Sequence, residues 1–131
     1  MFLDASAMIA IIARETDAPA LAGRLRQANE VHTSPIAIYE TVLGLARVGD
    51  TSIQDAQIVL NRFLEEVRAE IISITAEIGR GALTAFERFG RGRHPAALNM
   101  GDCFAYACAS VLDMPLLFKG DDFPLTDITI A

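Results

Sequence analysis

Gly101-Asp102-Cys103-Phe104-Ala105-Tyr106-Ala107-Cys108-Ala109 reads as the opening of a buried helix. Asn99 is a good N-cap, Gly101 and Asp102 fall in the first turn, and Phe104, Ala107, Cys108 and Val111 recur at helical spacing. A helix apolar almost all round is normally an inner one. Asp102 is the odd residue in it. A carboxylate carried inward must be capped, paired or bound to a metal, because an unpaired buried charge is very costly. Two readings are open at this point. Asp102 is an N3 residue that complements the helix dipole, or it is one member of a site assembled from distant parts of the chain.

Outward from this helix, the chain alternates short apolar runs with helical patterns. Met1-Phe2-Leu3 is a strand ended by Asp4, followed by a helix from Ala5 to Arg14 with Ser6 as its cap. Asp17 caps a helix over Ala18–Ala28, with Pro19 in its first turn. Val31-His32-Thr33 is a strand, and Pro35 opens a helix over Ile36–Val48 that Gly49-Asp50 ends. A helix over Ile53–Arg68 carries the stripe Ile53, Ala56, Leu60, Phe63, Leu64, Val67. Ile71-Ile72-Ser73-Ile74 is a strand, Thr75 caps a helix to about Phe89, and Gly90 to Leu98 is a loop. After the helix from Asn99 to Leu112 come a strand at Pro115–Phe118, a turn at Lys119-Gly120-Asp121-Asp122 and a final strand at Ile128–Ile130. Strands separated by helices predict an α/β fold, a three-layer α/β/α sandwich around a mostly parallel sheet. No linker or repeat interrupts it, so residues 1–131 read as one domain.

Composition agrees with a sheet covered on both faces. Hydrophobic residues make up 52% of the chain, and the mean hydropathy is +0.33, enough to leave apolar surface for a partner as well. Cys103 and Cys108, at i and i+5 of one helix, point apart and cannot bridge, so both read as core residues in a reducing compartment. No apolar run reaches the ~20 residues of a membrane span and no signal peptide is evident. The expectation is a cytoplasmic protein.

The net charge of −6 excludes a generally basic nucleic-acid binder. Charge is uneven, however. Between Gly79 and His94, Arg80, Arg88, Arg91 and Arg93 stand against one acid, Glu87. Arginine suits phosphate through its planar fork of donors, although a solvated helix face is the commoner origin of such a run. His94, beside Arg91 and Arg93, either touches substrate phosphate or packs the loop. His32 reads as a strand or core residue, and Tyr106 as core.

In open α/β sheets the ligand crevice lies beyond the C-terminal strand ends, where strand order reverses. Asp4 follows the first strand, and Asp121 and Asp122 follow the fourth. If those strands are neighbours, their acids meet, and Asp102 heads the helix leading into the fourth. Glu40 borders the apolar stripe expected along Ile36, Tyr39, Val42, Leu43 and Ala46. Clustered carboxylates repel one another and their pKa values rise unless a cation is present. Oxygen-only ligands suit Mg²⁺ or Mn²⁺, and paired divalent ions are the usual device for phosphodiester hydrolysis. Ser6 is placed to hold a water at such a site.

Asp4-Ala5-Ser6, Pro35-Ile36-Ala37-Ile38-Tyr39-Glu40, Asn99-Met100-Gly101-Asp102-Cys103-Phe104-Ala105-Tyr106-Ala107 and Leu117-Phe118-Lys119-Gly120-Asp121-Asp122-Phe123 together resemble the PIN domain. More narrowly they resemble VapC-type toxins of bacterial toxin–antitoxin modules, in the same order over nearly the whole chain. The resemblance implies a metal-dependent endoribonuclease, a homodimer, an RNA substrate and a VapB-type antitoxin. It implies that Asp4, Glu40 and Asp102 are metal-binding catalytic acids, with Ser6 the hydroxyl beside the first. Of the two later acids, the one directly before Phe, Asp122, matches the family's fourth, with Asp121 beside it. The chain departs from many relatives in having Lys119-Gly120 where they carry Thr-Asn.

Two other classes compete. A Mg²⁺-binding receiver-like signalling module wants an acid ending the third strand, where Ser73-Ile74 stands; Lys119 alone supports it. A dehalogenase-type phosphatase wants Asp-x-Asp after the first strand, where the second residue is Ser6.

Overall fold

A computed structural model describes all 131 residues. The strands are β1 (Phe2–Leu3), β2 (His32–Thr33), β3 (Glu70–Ile71) and β4 (Leu116–Leu117). The helices are α1 (Ala5–Ile12), α2 (Ala18–Leu25), α3 (Pro35–Gly49), α4 (Ile53–Glu66), α5 (Ala76–Phe89) and α6 (Met100–Val111). The sheet order is β3-β2-β1-β4, and every pairing in it is parallel. Phe2 stands opposite His32 on one side and Leu116 on the other.

Alternation along two-residue strands builds both cores. Phe2 and Leu116 face α5 and α6, where Ala82, Ala85, Phe89, Cys103 and Cys108 pack. Leu3 and Leu117, one residue on, face the layer of α1, α3 and α4 with Met8, Leu45, Leu60 and Leu64. Strands buried on both faces read as unbroken apolar runs, as these do. Small residues bring α5 and α6 together: a Cβ on Gly81 would lie 3.2 Å from that of Ala107.

Several local expectations are corrected. The cap of α1 is Asp4, whose carboxylate accepts the Ser6 N–H; Ser6 lies inside the helix. Asp17 precedes α2 without a side-chain capping bond. The stripe on α3 is rotated from the one expected: Tyr39 is 65% and Leu43 43% exposed, while Ala37, Thr41, Val42 and Leu45 face inward. Ile128–Ile130 forms no strand. It touches the sheet through one parallel bridge, Leu116 to Ile130, held by Leu116 N–H to the Thr129 carbonyl (2.8 Å) and Ala131 N–H to the Leu116 carbonyl (3.0 Å). Asp50 ends α3 in the left-handed conformation at φ 47°.

The chain leaves β1 for β2 on one side and returns to β4 on the other. The order therefore reverses between β1 and β4, the place where α/β sheets open a crevice. Asp4 N–H donates to the Leu117 carbonyl there at 3.0 Å.

Candidate metal centre

Asp4 is 4% exposed. Its backbone is extended as a cap requires, and its Oδ2 accepts both the Ser6 N–H, at 2.9 Å, and the Ser6 hydroxyl. The Ser6 oxygen in turn accepts the Lys119 N–H at 2.9 Å. Ser6 thus ties the acid after β1 to the turn after β4. The Lys119 side chain leads away from the acids, pairing with Glu15 and, at 3.4 Å, with Asp17. Burial pushes the Asp4 carboxyl above its ordinary range, against the pull of the Ser6 bonds.

Glu40 lies in the second turn of α3. That helix starts directly after β2 because Pro35 suits its first position and the Ser34 hydroxyl accepts the Ala37 N–H at 3.2 Å. The start of α3 beside the strand end carries Glu40 toward Asp4. Burial, then repulsion from Asp4 and Asp102, pushes Glu40 up to about 7. Its carboxylate lies over Gly101, where a Cβ on that residue would collide with it.

Asp102 is the N3 residue of α6 and completes a capping box. Its Oδ2 accepts the Asn99 N–H at 2.9 Å, and the Asn99 side-chain oxygen accepts the Asp102 N–H at 2.9 Å. The cap employs one oxygen and leaves the other free of it, so the capping role does not exclude a role in a site. Burial raises Asp102 to about 6, opposed by the Asn99 bond, raised further by Asp4 and Asp122 and lowered by Arg91.

Asp122 is exposed and precedes a short 3-10 turn, Phe123–Leu125. Phe123 anchors that turn, its ring 4.9 Å from Phe118. Asp122 faces Asp102 closely enough to raise it, while Asp121 lines a different hollow with Thr16, Asp17, Arg24 and Lys119.

Asp4, Glu40 and Asp102 therefore share one electrostatic neighbourhood, with Asp122 at its rim. The donor set is all oxygen and its charge exceeds what Arg91 offsets, which fits a hard divalent cation in kind and in charge. As the side chains stand, no three of them close around a common point. The neighbourhood fits such an ion by the chemistry of its donors.

The arginine run disperses. Arg91 borders Asp102. Arg93 stacks over Phe86, 5.6 Å from the ring centre. Arg88 pairs with Asp127 at 2.7 Å and reaches the Tyr106 hydroxyl at 3.3 Å. His94 accepts the Ala96 N–H at 3.1 Å on Nδ1 and sits edge-on to Phe89. His32 is a buried strand residue whose Nε2 is 3.3 Å from the Glu70 carboxylate. Sequence reading missed two contributors. Lys119 touches Ser6 through a backbone N–H, which carries no side-chain signal, and Gly101 leaves the space that the Glu40 carboxylate occupies.

The sequence matches the PIN domain family over residues 1–128. It is 38% identical over 130 residues to a ribonuclease VapC of Mycolicibacterium smegmatis, covering 98% of this chain and 97% of that protein. It is 36% identical over 134 residues to ribonuclease VapC30 of Mycobacterium tuberculosis, covering 100% and 98%. Among solved structures it is similar to Mycobacterium tuberculosis VapC20, a sarcin–ricin loop cleaving toxin, with a TM-score of 0.76 over 99% of this chain and 97% of that one. At 18% identity that last likeness speaks to the fold alone. No helix of this chain is long and apolar enough to cross a membrane. The chain belongs to the PIN-domain family.

Proposed function

We propose that this protein is a VapC-type endoribonuclease, the toxin of a VapBC-type toxin–antitoxin pair. It hydrolyses RNA phosphodiester bonds with Mg²⁺ or Mn²⁺ held by Asp4, Glu40, Asp102 and Asp122. The observation that carries this reading is geometric: the Asp4 carboxylate is tied through Ser6 to the turn after β4, and the Glu40 carboxylate lies against Gly101, beside Asp102. Relatives named as VapC ribonucleases over nearly the whole chain support it.

A divalent cation bound there supplies Lewis acidity toward water and the scissile phosphate. The chain's own residues prepare the place. Ser6 fixes the Asp4 carboxylate through two bonds and is itself held by the Lys119 N–H. Asn99 orients Asp102 through the capping box. Glu40, raised to about 7, is partly protonated near neutral pH and would be a ligand in its deprotonated form. Arg91 stands beside Asp102 as the cation nearest an RNA phosphate. Arg93, stacked on Phe86, and His94, with Nδ1 engaged by the Ala96 N–H, are held by their own neighbours, which leaves Arg91 as the phosphate contact of this reading. Ser6 adds a hydroxyl beside Asp4, whereas Asp121, in a separate hollow with Thr16, Asp17 and Lys119, takes no part in this reading.

A second copy of the chain and a VapB-type antitoxin are the protein partners of this reading. Leu83, 73% exposed, and Met100, 68% exposed, line one apolar hollow with Phe86 and Phe104 and give them apolar surface. The test is cleavage of a structured RNA with Mn²⁺ by purified protein and by Asp4→Ala. Cutting by the first and not the second is expected. Equal cutting by both would overturn the assignment.

A further inference from the structure

We propose that Gly101 is a positioning residue for Glu40, and that its missing side chain sets where that carboxylate meets the other acids. The inference rests on the metal-site reading above and deepens it.

Gly101 is buried in the first turn of α6, between the cap Asn99 and Asp102. Its φ is not among the positive values of the chain, so the backbone does not call for glycine there. Glycine is also among the poorest helix formers, behind alanine and every other residue but proline. Packing supplies the reason. The nearest atoms to a Cβ at Gly101 are both oxygens and the carboxyl carbon of Glu40, all far inside contact distance. The Glu40 carboxylate occupies the volume that any other residue would fill.

That contact joins two elements that reach the crevice from different strand ends, α3 after β2 and α6 before β4. The carboxylate lies at the N-terminal end of α6, where unpaired backbone N–H groups favour negative charge. Asp102, the next residue, repels Glu40 from the same turn. Glu40 is thus seated by a hole of fixed size rather than by a hydrogen bond. A methyl group in that hole meets the far end of a flexible side chain, which can swing away at small cost to the fold. The consequence falls on the acid cluster.

The experiment compares the full-length wild type, Gly101→Ala, Glu40→Ala and the double variant, melted in EDTA and across a Mn²⁺ titration. In EDTA, Gly101→Ala is expected to melt at or above the wild type. The Mn²⁺ concentration giving half of the stabilisation is expected to rise about tenfold or more, as when a group orienting a ligand is lost. Adding Gly101→Ala to Glu40→Ala should then change nothing further. A wild-type Mn²⁺ midpoint in Gly101→Ala would overturn the proposal, as would an equal weakening in the Glu40→Ala background. If Gly101→Ala melts low in EDTA, recovery in the double variant supports a clash with Glu40, and no recovery overturns it. A wild type that Mn²⁺ does not stabilise would remove the metal-site reading itself, an outcome distinct from the failure of Gly101 alone.

Discussion

Asp4 and Glu40 are acids held where the charged form is disfavoured, so they weaken the metal-free protein near neutral pH. The folded pKa of Glu40 is raised from an ordinary 4.5 to about 7, and that of Asp102 from 3.8 to about 6. The native state therefore binds more protons than the unfolded chain between those values, and stability falls as pH rises through them. In EDTA the melting temperature is expected to drop between about pH 4.5 and pH 7, and Glu40→Gln should flatten that drop. A melting temperature rising with pH over this window would contradict it. With Mn²⁺ present, the sign should reverse, because the cation binds the deprotonated acids. Asp4 and Asp102 were legible in the sequence because each stands in apolar context. Glu40 was legible only as a border residue, since its partner Gly101 gives no chemical signal.

At the scale of elements, α6 unites stability and site. Removing its cap by Asn99→Ala should cost about 1 kcal/mol of stability and free Asp102 to turn. A lower melting temperature and a weaker Mn²⁺ response are both expected; loss of the first without the second would mean that Asp102 needs no cap to serve. Lys119→Met removes ion pairs to Glu15 and Asp17 that are partly exposed and therefore contribute little to stability. Its larger expected effect is a looser Lys119 backbone and hence a looser Ser6–Asp4 contact, read as reduced cleavage at saturating RNA with little change in melting. The helices were legible from periodicity and caps, as at Asn99 and Thr75. The α3 stripe was misjudged because Tyr39 and Leu43 are apolar residues left on the surface. The last strand was misjudged because Ile128–Ile130 has β-prone residues but makes only one bridge. Hydropathy reports a residue's preference, and the neighbours available decide whether it is met.

For the whole molecule, the alternation of strands and helices made the parallel sandwich readable. The meeting of the acids was not readable without strand order: it depends on β1 lying between β2 and β4. The same holds for the arginines, which are contiguous in sequence but scattered in space. Arg91 alone borders the acids, so Arg91→Gln should weaken RNA binding and reduce the salt slope by about 0.7. Arg88→Gln, which breaks the pair with Asp127, should leave that slope unchanged and lower stability instead. Equal effects of the two on the slope would show that the cluster acts as a general basic surface. With a net charge of −6, long-range attraction of RNA to the molecule as a whole is weak.

The most direct measurement is the anomalous signal of Mn²⁺ soaked into crystals of this protein. A peak among the carboxylates of Asp4, Glu40, Asp102 and Asp122, absent in Asp4→Asn, is the predicted result. Manganese bound only elsewhere, or nowhere at millimolar concentration, would contradict it.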